Sequence, residues 1–278
     1  METRHPLAVV TGASSGIGRA FAQRLASEGY DMIITNRHLP ELESVAEPLR
    51  AMYGIKVTCY AGDLGDAEYR AYLSRKVKEA GPVTMLVNNA GFGIDKPIGR
   101  IPLDRILSMI NTHNLAPVEL IHAVLPDMVK NKKGIIINVS SLCAFFPGLS
   151  RTIYAATKSF LHQFSVGLNL ELAPYGIYVQ SLCPGLVKTN FIEALESESL
   201  EKKFEHMKFM EPEVVVNASL KAVKKHRALC IPGIQYHLSY IASRLLPLGF
   251  FRYLSSFRRK EAAKEAPVIR LECLKPAA

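Results

Sequence analysis

The sequence has no CxxC pair, no zinc-finger spacing of Cys and His, and no block of like charges. It also has no run of the roughly 18 consecutive apolar residues that a membrane-spanning helix needs. Each absence removes a class of protein. Without blocks of charge or finger spacing, nucleic acid is not an expected partner, and nothing suggests a metal site. The five cysteines (Cys59, Cys143, Cys183, Cys230, Cys273) are scattered and odd in number, as free thiols in a reducing compartment are. A cytoplasmic location is the default. Met1 to Pro6 is short and polar, without the basic start and apolar core of a signal peptide, so secretion is not expected. No low-complexity linker and no internal repeat interrupts residues 1–233.

What is present is a chain of 278 residues, 49% hydrophobic, long enough to bury a sizeable core. Its net charge of +9, from 34 Lys and Arg against 25 Asp and Glu, points to an anionic partner such as a phosphorylated cofactor or an anionic lipid. Short β-rich runs at Leu7–Thr11, Asp31–Thr35, Lys56–Tyr60, Thr84–Val87, Gly134–Val139 and Ile177–Leu182, with a candidate seventh at Ala228–Ile231, alternate with helical patterns. Those patterns are Ile17–Glu28, Pro40–Met52, Asp66–Ala80, Asp104–Val129, Ile153–Ala173 and Glu213–Lys225. Runs such as LAVV and GIIINV are apolar throughout, as strands buried on both faces of a parallel sheet are. The alternation predicts an α/β fold: a Rossmann-type doubly wound parallel sheet of about seven strands with helices on both faces. Residues 1–233 read as a single domain, with 234–278 as an extension.

The first strand runs into Thr11-Gly12-Ala13-Ser14-Ser15-Gly16-Ile17-Gly18, and a helical pattern begins at once. Gly12 permits a tight turn, Gly16 a close approach to a pyrophosphate and Gly18 close helix–strand contact, while the helix N-terminus offers amide donors to an anion. The second strand ends in Asn36-Arg37, without the acidic residue that would bond a ribose 2′-hydroxyl. A guanidinium there suits the 2′-phosphate of NADP. Farther on, Tyr154 and Lys158 lie four residues apart in a helical pattern, on one face and one turn apart. A nearby ammonium favours phenolate, which fits Tyr154 for acid–base work on a carbonyl or alcohol.

TGASSGIG resembles the cofactor motif of the short-chain dehydrogenase/reductase family. The resemblance continues in family order through Asp63-Leu64, Asn88-Asn89-Ala90-Gly91, Asn138-Val139-Ser140-Ser141, Tyr154-x-x-x-Lys158 and Pro184-Gly185-x-Val187-x-Thr189. It implies that Asp63 and Leu64 lie at the adenine, that Asn89, Ala90 and Gly91 pack beside the adenosine ribose, and that Pro184, Gly185, Val187 and Thr189 orient the nicotinamide. It further implies a catalytic set of Asn114, Ser141, Tyr154 and Lys158, in which Ser141 bonds the substrate oxygen and Asn114 supports a water. Ser140 and Asn111 are the competing residues. Pro117 would distort the helix beside Asn114 and free backbone carbonyls. His113 and Cys143 have no partners in sequence that suggest chemistry and read as structural. Cys143-Ala144 and Ala156-Thr157 depart from the family's commoner Ala-Gly and Ala-Ser without removing a needed group. Members of the family commonly form dimers or tetramers, so a homo-oligomer is expected.

The segment from Asn190 to about Met210 corresponds to the family's variable lid. Its Phe191, Ile192, Leu195, Phe204, Met207, Phe209 and Met210 would line an apolar pocket for a lipophilic ketone, fatty-acyl or steroid-like substrate, or else simply pack. Tyr236 to Lys260 mixes apolar bulk with Arg244, Arg252, Arg258, Arg259 and Lys260, which fits peripheral membrane contact, an oligomer contact or a cover over the pocket. The polar stretch from Lys260 has the composition of a partly disordered tail. The expected function is an NADP(H)-dependent interconversion of a ketone or aldehyde with an alcohol. The alternatives are a 3-oxoacyl-thioester reductase and a non-catalytic NADP-binding protein, which could share the fold without keeping the catalytic set.

Overall fold

Successive side chains of a strand point to opposite faces of its sheet, and in this chain both faces are apolar. Ala8 and Val10 of the first strand enter one core while Val9 enters another, and Met32, Ile34 against Ile33, and Met85, Val87 against Leu86, repeat the division. The computed structural model describes residues 5–147, 150–189, 209–246 and 249. Their strands are β1 (Leu7–Thr11), β2 (Asp31–Asn36), β3 (Val57–Ala61), β4 (Val83–Asn88), β5 (Gly134–Val139), β6 (Ile177–Leu182) and β7 (Leu229–Cys230). All pair in parallel, in the order β3-β2-β1-β4-β5-β6-β7. The expected doubly wound sheet is therefore present, with the shortest strand at one edge.

The helices are α1 (Gly16–Ser27), α2 (Leu39–Tyr53), α3 (Ala67–Glu79), α4 (Leu103–Ile110), α5 (Ala116–Asn131), α6 (Thr152–Leu172), α7 (Pro212–Val223) and α8 (Ile234–Leu245). Phe21, Leu25, Leu42, Leu49 and Val216 place α1, α2 and α7 on one face. Leu73, Leu120, Val124, Met128 and Leu172 place α3, α5 and α6 on the other. The winding reverses between β1 and β4, so the carboxyl ends of these two strands open a crevice, the usual ligand position of such sheets.

The continuous helix expected over Asp104–Val129 is in fact two helices joined by a π turn at Asn111–Leu115, where the Ala116 amide reaches back to the Asn111 carbonyl. Pro117 has no N–H for the carbonyl four residues earlier, that of His113, so the regular ladder cannot pass this point. Of the expected lid, only Phe209 and Met210 are described. Met210 forms an isolated parallel bridge with Val187. Phe191, Ile192, Leu195, Phe204, Met207, Cys273 and the tail from Phe250 lie outside the described residues. The four described cysteines are free.

Gly18 sets how closely α1 approaches β1, because a Cβ there would stand 2.1 Å from the Gly12 carbonyl oxygen and 2.5 Å from Asn89 Nδ2. Both neighbours are held by backbone geometry or hydrogen bonds, so the helix must move to admit a methyl group. Gly18→Ala should lower the urea unfolding free energy by about 1–3 kcal/mol. An unchanged midpoint would show that α1 has room to shift.

Candidate active site

The glycine turn is tied to the neighbouring strand by one asparagine and one threonine. The backbone amides of Asn89 and Ala90 both donate to Thr11 Oγ1, at 2.9 and 3.0 Å. Asn89 Nδ2 donates in turn to the carbonyls of Thr11 and Gly12, at 3.0 and 3.1 Å. Gly12 and Gly16 adopt positive φ values of 66° and 52°, in the left-handed region that favours glycine. Ser15 stands at the N-cap of α1 without a side-chain cap hydrogen bond, so the first amides of α1 face the crevice uncapped by this side chain. The cradle therefore suits an anionic group such as a pyrophosphate. Thr189 closes the same turn from the far side, because a Cβ on Gly16 would meet its Cγ2 at 2.7 Å.

At the end of β2, Asn36 Nδ2 donates to Ser14 Oγ and to Glu41 Oε2, and the Ser14 hydroxyl donates to the same carboxylate oxygen at 3.1 Å. Glu41, on the first turn of α2, was not expected here, and its carboxylate sits between two residues assigned to the cofactor. Its signal in the sequence is a carboxylate five residues beyond Asn36, which gains meaning only when α2 turns back over β2. Arg37 beside it is exposed. Past β3, Asp63 Oδ1 accepts the Gly65 amide at 2.7 Å, forming a local turn that presents Asp63 while Leu64 is buried. Buried Arg70 braces this turn by donating to the carbonyls of Leu64 and Gly65 and to Glu119. Asn111 Nδ2 bonds the Gly65 carbonyl at 3.0 Å, a role that occupies it away from Tyr154.

The residues expected to carry chemistry converge where α6 meets the ends of β4 and β5. Lys158 is 4% exposed; its Nζ donates to the Val139 carbonyl at 2.9 Å and lies 5.8 Å from the centre of the Tyr154 ring. Ser140 Oγ donates to the Lys158 carbonyl at 2.7 Å, so this serine anchors the helix. Ser141 accepts the Cys143 amide at 3.1 Å and hydrogen-bonds the Tyr154 phenol. Asn114, on the π turn, donates to the Thr157 carbonyl at 2.9 Å. Phe92, Ile94, Ile101, Met109 and Ile153 form a small apolar cluster against the Tyr154 ring.

Burial dominates the electrostatics. It holds the Tyr154 phenol above its ordinary value, with Cys143 adding to the effect, while Ser141 and Arg151 oppose it. This is opposite to the direction expected from Lys158 alone, whose Nζ is turned to Val139. Burial likewise pulls the Lys158 ammonium down to about 8. Arg151, three residues before Tyr154, is paired with Asp95 on the loop after β4 at 3.1 Å. On the β6 side, Pro184 accepts the Leu142 amide, and the ring of Tyr236 from α8 occupies the space a side chain at Gly185 would need. Arg151, Asp95 and Tyr236 were not among the expected site residues.

His113 is fully buried beside Tyr154, their rings meeting edge to face at 5.8 Å. Its Nε2 accepts the Phe92 amide at 3.0 Å, so the proton sits on Nδ1, which donates to Thr157 Oγ1 at 2.9 Å; the Thr157 hydroxyl donates in turn to the Tyr154 carbonyl at 2.8 Å. Gly91 makes room, since a Cβ there would lie 2.9 Å from Nε2. Burial first, then the Lys158 charge, holds this imidazole neutral well below 6.5. An unfolded His titrates near 6.5, so below that pH the unfolded chain binds more protons and stability falls as pH drops. His113→Asn should lose stability at neutral pH but show a smaller further decline between about pH 7 and 5 than the native chain in urea melts. An equal decline in both would remove His113 as its source.

Residues 6–200 match the family model described as short chain dehydrogenase. The very-long-chain 3-oxoacyl-CoA reductase of Anas platyrhynchos is 33% identical over 220 residues, covering 78% of this chain and 68% of that protein. Among solved structures, a short-chain dehydrogenase from Sphingobium yanoikuyae in complex with NADPH superposes with a TM-score of 0.78 at 29% identity, covering 93% of this chain and 95% of the other. The bulky-bulky ketone specific alcohol dehydrogenase from Comamonas testosteroni gives 0.74 at 28%, covering 94% and 95%. The chain belongs to the short-chain dehydrogenase family and is an oxidoreductase.

Proposed function

We propose that the chain is an NADP(H)-dependent reductase of a bulky, lipophilic ketone, with Tyr154 as its proton donor. The observation that carries this reading is the placement of the Tyr154 phenol: buried against an apolar cluster, hydrogen-bonded to Ser141 and with the Lys158 ammonium 5.8 Å from its ring. A phenol so placed is suited to giving a proton to a carbonyl oxygen as the carbonyl is reduced. Residues 1–233 hold the working groups in this reading and 234–278 extend them. The NADPH in the Sphingobium protein and the ketone specificity named for the Comamonas enzyme support the choice of cofactor and substrate.

Gly12, Gly16 and the α1 N-terminus, with Ser14 to Gly18, would hold the pyrophosphate. Asn36, Arg37 and Ser14 would take the 2′-phosphate end, Asp63 and Leu64 the adenine, and Asn89, Ala90 and Gly91 the ribose. Pro184, Gly185, Val187 and Thr189 would border the nicotinamide. A bound nicotinamide supplies the hydride in reduction. Tyr154 Oη gives its proton to the carbonyl oxygen, and Ser141 Oγ hydrogen-bonds that oxygen as charge develops on it. The Lys158 ammonium offsets the phenolate charge left behind, and Asn114 on the π turn supports a water path from Lys158 outward.

Tyr154→Phe should leave NADPH binding, followed by cofactor fluorescence, unchanged and lower ketone turnover by about 10²–10⁴-fold. Normal turnover in that variant would overturn the mechanism. Because Lys158 loses its proton as pH rises through about 8, the reduction rate should be level near neutrality and fall above that pH. At the adenosine end, Glu41→Gln removes a carboxylate from the expected 2′-phosphate position and should tighten NADPH roughly fivefold, as befits an exposed charge. Arg37→Asp should weaken it. A second reading, reduction of a 3-oxoacyl thioester, is favoured by the name of the Anas relative, and parallel assays of a 3-oxoacyl-CoA and a bulky ketone separate the two.

A further inference from the structure

Helix α8 is built inside out. At 100° per residue, Tyr236, Ser239, Tyr240 and Ser243 fall on one side, and all four are half-buried against the protein. Tyr240 packs on Phe145 with ring centres 4.6 Å apart, and Tyr236 covers Gly185. The opposite side carries Ile234, Leu238, Ile241 and Leu245, spaced four, three and four residues, with exposures of 74%, 59%, 44% and 78%. The hydroxylic face is thus turned inward and the aliphatic stripe outward, with Gln235 along one edge and His237 and Arg244 along the other. Scattered exposed leucines need no explanation, but a continuous aliphatic stripe over the whole of a helix does.

Charge decides what could cover the stripe. From Ile234 to Lys260 the sequence has no Asp or Glu, while it has Arg244, Arg252, Arg258, Arg259 and Lys260. Between them stand Phe250, Phe251, Tyr253, Leu254 and Phe257. A second copy docking face to face would offer these cations no acidic partner from the same stretch, since a two-fold contact opposes a patch to itself. An anionic bilayer satisfies both features: the apolar side chains enter the boundary of the acyl region and the cations meet the headgroups. No helix among the described residues is long and apolar enough to cross a membrane, which leaves a surface contact.

We propose that the exposed face of α8 docks the protein on the surface of an anionic lipid bilayer. Through Tyr236 on Gly185 and Tyr240 on Phe145, α8 adjoins the β6 loop and the turn after Ser141, so docking brings that side of the site to the bilayer.

The test is flotation of the full chain with vesicles of phosphatidylcholine alone or mixed with phosphatidylglycerol, at low and high salt, alongside its mass in solution. Binding is expected to the anionic vesicles, weakened by salt, and reduced about tenfold or more by Leu238→Glu with Ile241→Glu. These side chains are exposed, so the variant should keep its melting temperature and its turnover of a water-soluble ketone. Absence of binding to anionic vesicles, binding that ignores lipid charge, or a variant that lowers the mass in solution while binding vesicles normally would each overturn the proposal. The last outcome would assign the stripe to a second copy. Vesicle binding does not depend on turnover, so the result stands apart from the reductase reading.

Discussion

Helix α6 is fixed to the sheet by a buried polar seam, and the geometry around Tyr154 depends on it. Asn88 Nδ2 donates to Asn138 Oδ1 across β4 and β5 at 2.8 Å, and Asn138 Nδ2 donates to Ser165 Oγ on α6 at 2.9 Å. One end of the seam continues through Ser140 to the Lys158 carbonyl and from Lys158 Nζ to Val139. Apolar packing tolerates sliding by fractions of a turn, but these bonds do not. Each is worth about 1 kcal/mol net, yet leaving one buried partner unpaired costs about 1–3 kcal/mol. Any displacement of α6 along the sheet would orphan several at once, so Tyr154 and Lys158 are held in one register.

The same burial that makes the seam strict sets the chemistry. Removing water from Tyr154 keeps the phenol protonated, and removing it from Lys158 lowers the ammonium toward neutrality. The two shifts run in opposite directions, so the phenol holds its proton more tightly and the ammonium more loosely than either does in water. His113 contributes by staying neutral and by linking Phe92, Thr157 and the backbone of Tyr154. Where α5 would have continued regularly, Pro117 forces the π turn that brings His113 and Asn114 inward, so a local fault in one helix supplies two neighbours of the site.

Much of this was legible in the residue order. The two-sided apolar runs disclosed a parallel sheet, and all seven strands lie within a residue or two of their expected places. The Ser140 and Ser141 alternatives differ by one position in sequence, and only their partners separate them: Ser140 bonds the Lys158 carbonyl, while Ser141 reaches Tyr154. Asn111 and Asn114 divide in the same way, one bracing the Asp63 turn and the other facing Thr157. Sequence spacing shows that Lys158 is near Tyr154 but not the desolvation that raises the phenol.

Sequence by itself determined what is periodic or local: the strand and helix pattern, the glycine turn ahead of α1, the four-residue spacing of Tyr154 and Lys158, and the lack of an acid at Asn36-Arg37. Tertiary structure alone decided what joins distant segments. It set Glu41 between Ser14 and Asn36, Arg70 beneath the Asp63 turn, Asp95 on Arg151, Tyr236 over Gly185, and the aliphatic side of α8 toward solvent. The physical reason is that backbone propensity and side-chain period act over a few residues, whereas burial and hydrogen-bond pairing are properties of neighbours that only the folded chain brings together.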